Sequence, residues 1–282
     1  MRVWVEGIGL RGPGLDGWEA SRRVLAGHAP YAGAPTSVPA CPLLPPNERR
    51  RTVQTVKLAL AVGIEALAHS RRDIASTATV FTSSGGDGGT IHDILLALAS
   101  SEREISPTRF HNSVHNAPAG YWSIATHSHA PSSSLCCYDS SFAAGLLEAA
   151  VKAAVDDCAV ALIAYDLLYP EPLNTARPIG ATFGVAFILA PQLTEASLAR
   201  LDLELRHETI GTAAASDPGL EALRRGTPAA RSLPLLASLA RGDAVTLGFE
   251  YLPGLALGVA VEPTRGASVD AGRYASQAGV RP

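Results

Sequence analysis

With 282 residues, 47% of them hydrophobic and 17% charged, the chain carries enough apolar side chains for a large core. Its net charge of −3 leaves no electrostatic footprint for nucleic acid, and 6% aromatics is too few for a base-stacking surface. No apolar run reaches membrane-spanning length, and "MRVWVEGIGL" reads as a strand rather than a leader peptide. A cytoplasmic protein without membrane insertion is expected. The four cysteines, at 41, 136, 137 and 158, have no metal spacing. Neighbouring side chains of a strand point to opposite faces, so the adjacent pair is read as free thiols, and no metal or cofactor is expected.

In chain order, "RVWVEGIGL" is a strand, followed by a helix over "DGWEASRRVLAGH" with Asp16 as N-cap and Gly27 as its stop. A Pro-rich loop, "APYAGAPTSVPACPLLPP", precedes the clearest helix, "NERRRTVQTVKLALAVGIEALAHS". Asn47 should cap it, and Val53, Val56, Leu60, Ile64 and Leu67 mark its apolar face. "TATVFTSS" is a strand, "GGDGG" a turn and "TIHDILLALAS" a helix. A polar segment then leads to a short helix at "AGYWSIAT". "CAVALIAYD" and "ATFGVAFILAP" are uniformly apolar strands, hence buried on both faces. Alternating strands and helices of this kind give a layered α/β sheet. After Pro191, two short helices stand between three strands, the last two pairing as a hairpin around "PG". The implied divisions are residues 1–190, a reduced C-terminal α/β segment at 191–262, and a tail at 263–282 without regular structure.

The glycines of "GIGLRG" (Gly7, Gly9, Gly12) match a dinucleotide fingerprint, but Pro13 and Gly14 interrupt the helix that should begin there. "SSGGDGG" lacks the Gly-Lys-Ser/Thr ending of a phosphate loop, and Gly-x-Ser-x-Gly is absent. His127 and His129 sit in a polar loop without further ligands. "SSSLCCYDSSFAAGLLEAA", Ser132 to Ala150, is the informative stretch: a strand breaking sharply into a helix. A side chain at such a break lies on a helix N-terminus, which stabilises a thiolate. The attacking atom could belong to Cys136 or Cys137, or Asp139 could stand in its place.

The segments "VEGIGL…GWEASRRVLAGHAP", "RRRTVQTVKLALAVGIEAL", "RFHNSVHNAPAGYWSIA", the strand–elbow–helix and "ATFGVAFILA" occur in an order that resembles the N-terminal half of a β-ketoacyl synthase. The resemblance covers about residues 1–190, and "FHNSVHNAPAGYWSIAT" is most similar to the chain-length factors of aryl polyene pigment pathways. It implies a thiolase-like layered α/β/α fold with a truncated C-terminal part. Matched onto the family's elbow, Asp139 takes the nucleophile's position, Ser140 and Ser141 the small residues after it, and Cys137 falls two residues early. An aspartate there suits an N-cap better than acyl transfer. The family's histidine turns are missing; "HETIGTAAASDP" echoes one of them, with Glu208 in place of the glycine and His207 as a strand-end residue.

The resemblance therefore implies a subunit not catalytic alone: a chain-length factor paired as a heterodimer with a full-length ketosynthase that acts on acyl carrier protein-bound chains. Such subunits pair through the strand before the elbow, here about Ser133 to Tyr138. Phe110, His111, His115, Tyr121 and Trp122 become candidates to line or close the acyl tunnel, and Ser133, Leu135 and Tyr138 candidates for the interface. A half-sized layer would leave one sheet face uncovered, an apolar area calling for a partner. Two other readings stand beside this one. One is an active condensing enzyme or acyltransferase using Cys137, or Cys136, with His207 and a histidine of "HNSVHN". The other is a pathway scaffold without contact to the acyl chain.

Overall fold

The computed structural model describes residues 1–207 and 214–264. The tail after residue 264 and half of the "HETIGTAAASDP" segment lie outside the described residues. Strand β1 (Arg2–Gly12) turns through Gly14, at φ 64°, into the two-residue strand β2 (Leu15–Asp16). Helix α1 (Trp18–Leu25) follows. Asp16, the expected N-cap of α1, instead pairs along β1 and faces Arg11. The helix N-terminus is served from outside: Glu65 Oε1 accepts the Trp18 N–H at 2.6 Å.

The long helix is broken in two, α2 (Pro46–Arg51) and α3 (Gln54–Ser70). Asn47 lies inside α2, which Pro46 opens, and the β-branched pair Thr52–Val53 adopts extended backbone between the helices. Helix α3 lies so close to β1 that a Cβ on Gly7 or Gly9 would approach the Ala66 or Val62 carbonyl to 2.1 or 2.0 Å. The glycines of "GIGLRG" thus serve helix-on-strand packing rather than a phosphate.

The chain continues through β3 (Ala78–Thr82), α4 (Gly88–Ala99), α5 (Pro107–Asn112), α6 (Ala117–Thr126) and β4 (Ser132–Leu135). Then come α7 (Ser141–Val155), β5 (Val160–Asp166), the single turn α8 (Leu173–Ala176) and β6 (Phe183–Ala190). Strand β7 (Ala199–Arg206), α9 (Pro218–Gly226), α10 (Leu233–Arg241), β8 (Val245–Leu252) and β9 (Leu255–Pro263) complete it. The last two form the hairpin expected around Pro253–Gly254. Helix α5 carries no periodic signature in the sequence.

The nine strands of the described residues form one mixed sheet, ordered β4-β3-β5-β6-β1-β7-β9-β8, with β2 beside β1. Strands β4, β3 and β5 are parallel and the remaining pairs antiparallel. Helices α3 and α6 cover one face, and α1, α7, α9 and α10 the other. The C-terminal strands continue the sheet along β1, and β8 returns to touch α7 and the turn after β4. The face of β7 and β9 away from the helices is charged rather than apolar, with Arg2–Asp202 and Arg200–Glu262 pairs at 2.7 Å. The expectation of an uncovered apolar sheet face is overturned there. No helix of the described residues is long and apolar enough to cross a membrane.

Asp166, at the end of β5 and fully buried, ties three segments together. Its carboxylate accepts from Ser84 N–H (2.9 Å), Ser84 Oγ (2.7 Å) and the Ala229 N–H (2.8 Å). Burial raises its pKa, and these donors oppose the rise. Asp166→Ala strands the donors away from water, so a loss of about 2–3 kcal/mol is expected. Urea unfolding of the two proteins checks it.

Candidate functional site: a strand–helix elbow without a thiol at its apex

Strand β4 is the edge of the sheet and runs parallel to β3, from Thr79 opposite Ser132 to Thr82 opposite Leu135. It stops at Leu135, so Cys136, Cys137 and Tyr138 lie beyond the strand expected to contain them. Tyr138 has φ 52°, a left-handed conformation that costs a bulky residue energy, and marks the apex of the break. Asp139 follows it in a short 3₁₀ turn, Tyr138–Ser140, that leads into α7. Ser141 fastens the turn: its Oγ accepts the Cys137 N–H at 3.0 Å, and its carbonyl accepts from Thr82 Oγ1 at 2.8 Å. Gly145 lets α7 settle on β3, because a Cβ there would come within 2.6 Å of Thr82.

Asp139 does not cap α7, whose N-terminus has no side-chain cap. Its carboxylate is drawn instead between two guanidiniums, Arg177 and, at 3.2 Å, Arg231. Arg177 also stacks on the Tyr138 ring, 3.6 Å from its centroid, and Arg231 pairs with Glu250 of β8 at 3.1 Å. A cleft of about 160 Å³ opens beside this network, lined among others by Asp139, Phe142, Arg224, Arg231, Phe249 and Glu250. Neither arginine was foreseeable: both come from distant irregular segments, and no spacing links them to the elbow.

The cysteines are poorly placed for attack. Cys136 Sγ points at the Ser84 carbonyl, 3.1 Å away. Burial, and then the neighbouring Cys136, push the Cys137 thiol up, opposite to what a nucleophile needs. His207 is exposed just past β7. Among the described residues no His, Cys, Asp and Glu group could hold a metal ion.

The tunnel candidates separate in space. Phe110 is 66% exposed and, with His111, borders an apolar groove of about 410 Å³ on α5 and α6. His115 Nε2 lies 2.7 Å from the Leu135 carbonyl, which brings the loop before α6 to the end of β4. Ser133 and Leu135 lie half-buried on β4, and the Ser133 hydroxyl donates to Glu148 at 3.3 Å. Tyr121 and Trp122 belong to the core under α6; Trp122 packs on Phe81 and over Gly63, where a Cβ would come within 2.7 Å of its ring.

The model of the β-ketoacyl synthase N-terminal domain matches residues 18–245. The chain belongs to the β-ketoacyl synthase family. No curated protein matches it. Among solved structures it is similar to a chain of the ketosynthase (ApeO) in complex with its chain length factor (ApeC) from Xenorhabdus doucetiae. The TM-score is 0.70 and the identity 22%, over 92% of this chain and 99% of that one. The ishigamide ketosynthase/chain length factor gives 0.67 at 14% identity, over 93% and 99%. The AntDE:AntF complex, a type II acyl-carrier protein with its ketosynthase bound to the hexaketide, gives 0.71 at 13%, over 93% and 99%. These likenesses establish the thiolase-like layered fold of a ketosynthase.

Glu221, on α9 at the rim of the cleft, holds Arg224 and Arg225 at 2.7 and 2.6 Å. Arg224 first, and then the Ala215 N–H and Arg225, hold its carboxyl well below the ordinary value of 4.5. A depressed folded pKa contributes stability that is present above that ordinary value and lost as pH falls through the folded one. Stability should therefore drop on acidification below about pH 4.5. Glu221→Gln should flatten that part of the acid limb, as read from urea midpoints between neutral and acid pH.

Proposed function

We propose that this chain is a non-catalytic chain-length factor of a type II β-ketoacyl synthase heterodimer. In this reading a full-length ketosynthase supplies the cysteine and condenses malonyl units onto an acyl chain held by an acyl carrier protein. The present chain shapes the tunnel into which a polyene or polyketide grows, in the cytoplasm. The elbow carries the proposal. Where the family places its cysteine, Tyr138 forms the apex and Asp139 is held between Arg177 and Arg231. A carboxylate in that setting is a poor acyl acceptor, because the guanidiniums withdraw its charge and an acyl-anhydride hydrolyses readily. The open edge of β4 supports pairing with a second sheet, and the exposed Phe110 ring supports a role at the tunnel.

The rival condensing enzyme would use Cys137, and the raised thiol pKa weighs against it. A scaffold without contact to the acyl chain remains the other reading. Intact-protein mass spectrometry separates the first pair. The chain is co-expressed with its ketosynthase and exposed to an acyl-carrier thioester. An adduct on the ketosynthase alone is expected; an adduct on this chain, lost in Cys137→Ala, would make it the condensing subunit. Product length separates the second pair: Phe110→Ala and Phe110→Trp should shift it while leaving the first condensation intact. Unchanged length across both substitutions would favour the scaffold.

A further inference from the structure

The cleft beside the elbow gathers more positive than negative charge. Arg224, Arg225 and Arg231 line it, and Arg177 joins them through Asp139. Asp139, Glu221 and Glu250 are the carboxylates these arginines pair with. Among the described residues the network therefore sets four guanidiniums against three carboxylates, and one positive charge is unmatched. Arg225 is the guanidinium with most left to offer. It holds Glu221 through Nε alone, and its side chain is 73% exposed, which leaves two terminal nitrogens for another acceptor. Arg224 commits Nε and Nη2 to Glu221, and Arg231 commits one Nη to Asp139 and the other to Glu250.

The same cleft is too large for a single water and is not wholly polar. Its volume of about 160 Å³ far exceeds the roughly 10–15 Å³ that one water needs. Phe142 and Phe249, in edge-on contact at 5.4 Å between ring centroids, line it together with Ala143 and Pro234. Charge and lining together define what fits. One unmatched positive charge favours a monoanion over a dianion, and a guanidinium fork matches the two oxygens of a carboxylate. The two rings and the small apolar side chains beside them suit a short hydrocarbon body.

We propose that this cleft binds a small monocarboxylate with a short apolar body, its carboxylate held by Arg225 and its body resting against Phe142 and Phe249. The site is built by this chain alone and does not depend on the chain-length-factor reading. Butanoate is the probe, titrated into the full chain at constant ionic strength and followed by saturation-transfer NMR. Saturable binding is expected. Butanamide, of the same shape without the charge, should bind about tenfold more weakly or worse. Acetate, which lacks two methylenes, should bind more weakly by up to about tenfold. Arg225→Gln brings the network to three guanidiniums against three carboxylates. It should weaken butanoate by about tenfold, while the melting temperature holds because the side chain is largely exposed. Arg206→Gln, at the exposed end of β7, should bind as the unsubstituted chain does. Butanoate binding that does not saturate, butanamide binding equally well, or Arg225→Gln within about twofold of the unsubstituted chain overturns the site. Acetate matching butanoate overturns the role of the two rings. Inorganic phosphate binding more tightly than butanoate overturns the ligand class.

Discussion

The carboxylate of Asp139, held between Arg177 and Arg231, is the contact on which the rest of the site depends. It joins the elbow to the segment before β6 and to the turn before α10, pieces that no hydrogen-bonded strand pairing would bring together. Arg231 passes the constraint on to Glu250, so the far edge of the sheet is tied to the elbow at its near edge. Each guanidinium here is only about a fifth exposed, so charge removed from either side would leave its partners poorly solvated. The Asp139 carboxylate is thus matched by two guanidiniums at the elbow, and each depends on the other for its burial.

Helix α7 carries the same logic into the core. It packs against β1, β3, β5, β6 and β8, so the sheet wraps around it. Close contact needs small residues, and the run Ala143, Ala144, Gly145, Ala149, Ala150 and Ala153 supplies them, all buried. Phe142 fills the end nearest the elbow, against Phe187 and Phe249. The chemistry of the elbow and the packing of the helix are therefore one feature: the first turn of α7 is fixed by a sheet that comes back on itself.

Much of this was legible in the residues. Strands β3, β5 and β6 are apolar on both faces, and α4 and α7 follow Ala- and Leu-rich runs, so periodicity and composition found them. The elbow was legible because Ser132–Ala150 changes character within a few residues. What failed was local chemistry decided at a distance. Asp16 and Asp139 both look like caps, but each pairs with an arginine and caps no helix N–H, and α1 is served by Glu65 from another helix. The break at Thr52–Val53 was hidden by a face that runs on through it. Arg177 and Arg231 had no signal, since ion pairs between irregular segments leave no period. Tyr121 and Trp122, named from the sequence as candidates to line or close the tunnel, lie in the core under α6, with Trp122 packed over Gly63.

The placement of exposed apolar surface follows from how the sheet is finished. A sheet face left without helices would be expected to call for a partner, but β7 and β9 meet water with charged side chains paired across the strands, Arg200 directly opposite Glu262. That face is complete as it stands. The β4 end differs: its serines form the outer strand of the sheet, the Tyr138 ring is 61% exposed, and Leu95 and Leu96 of α4 are more than half exposed. The chain thus finishes one end of its sheet with paired charges and the other, beside the elbow, with a short serine edge.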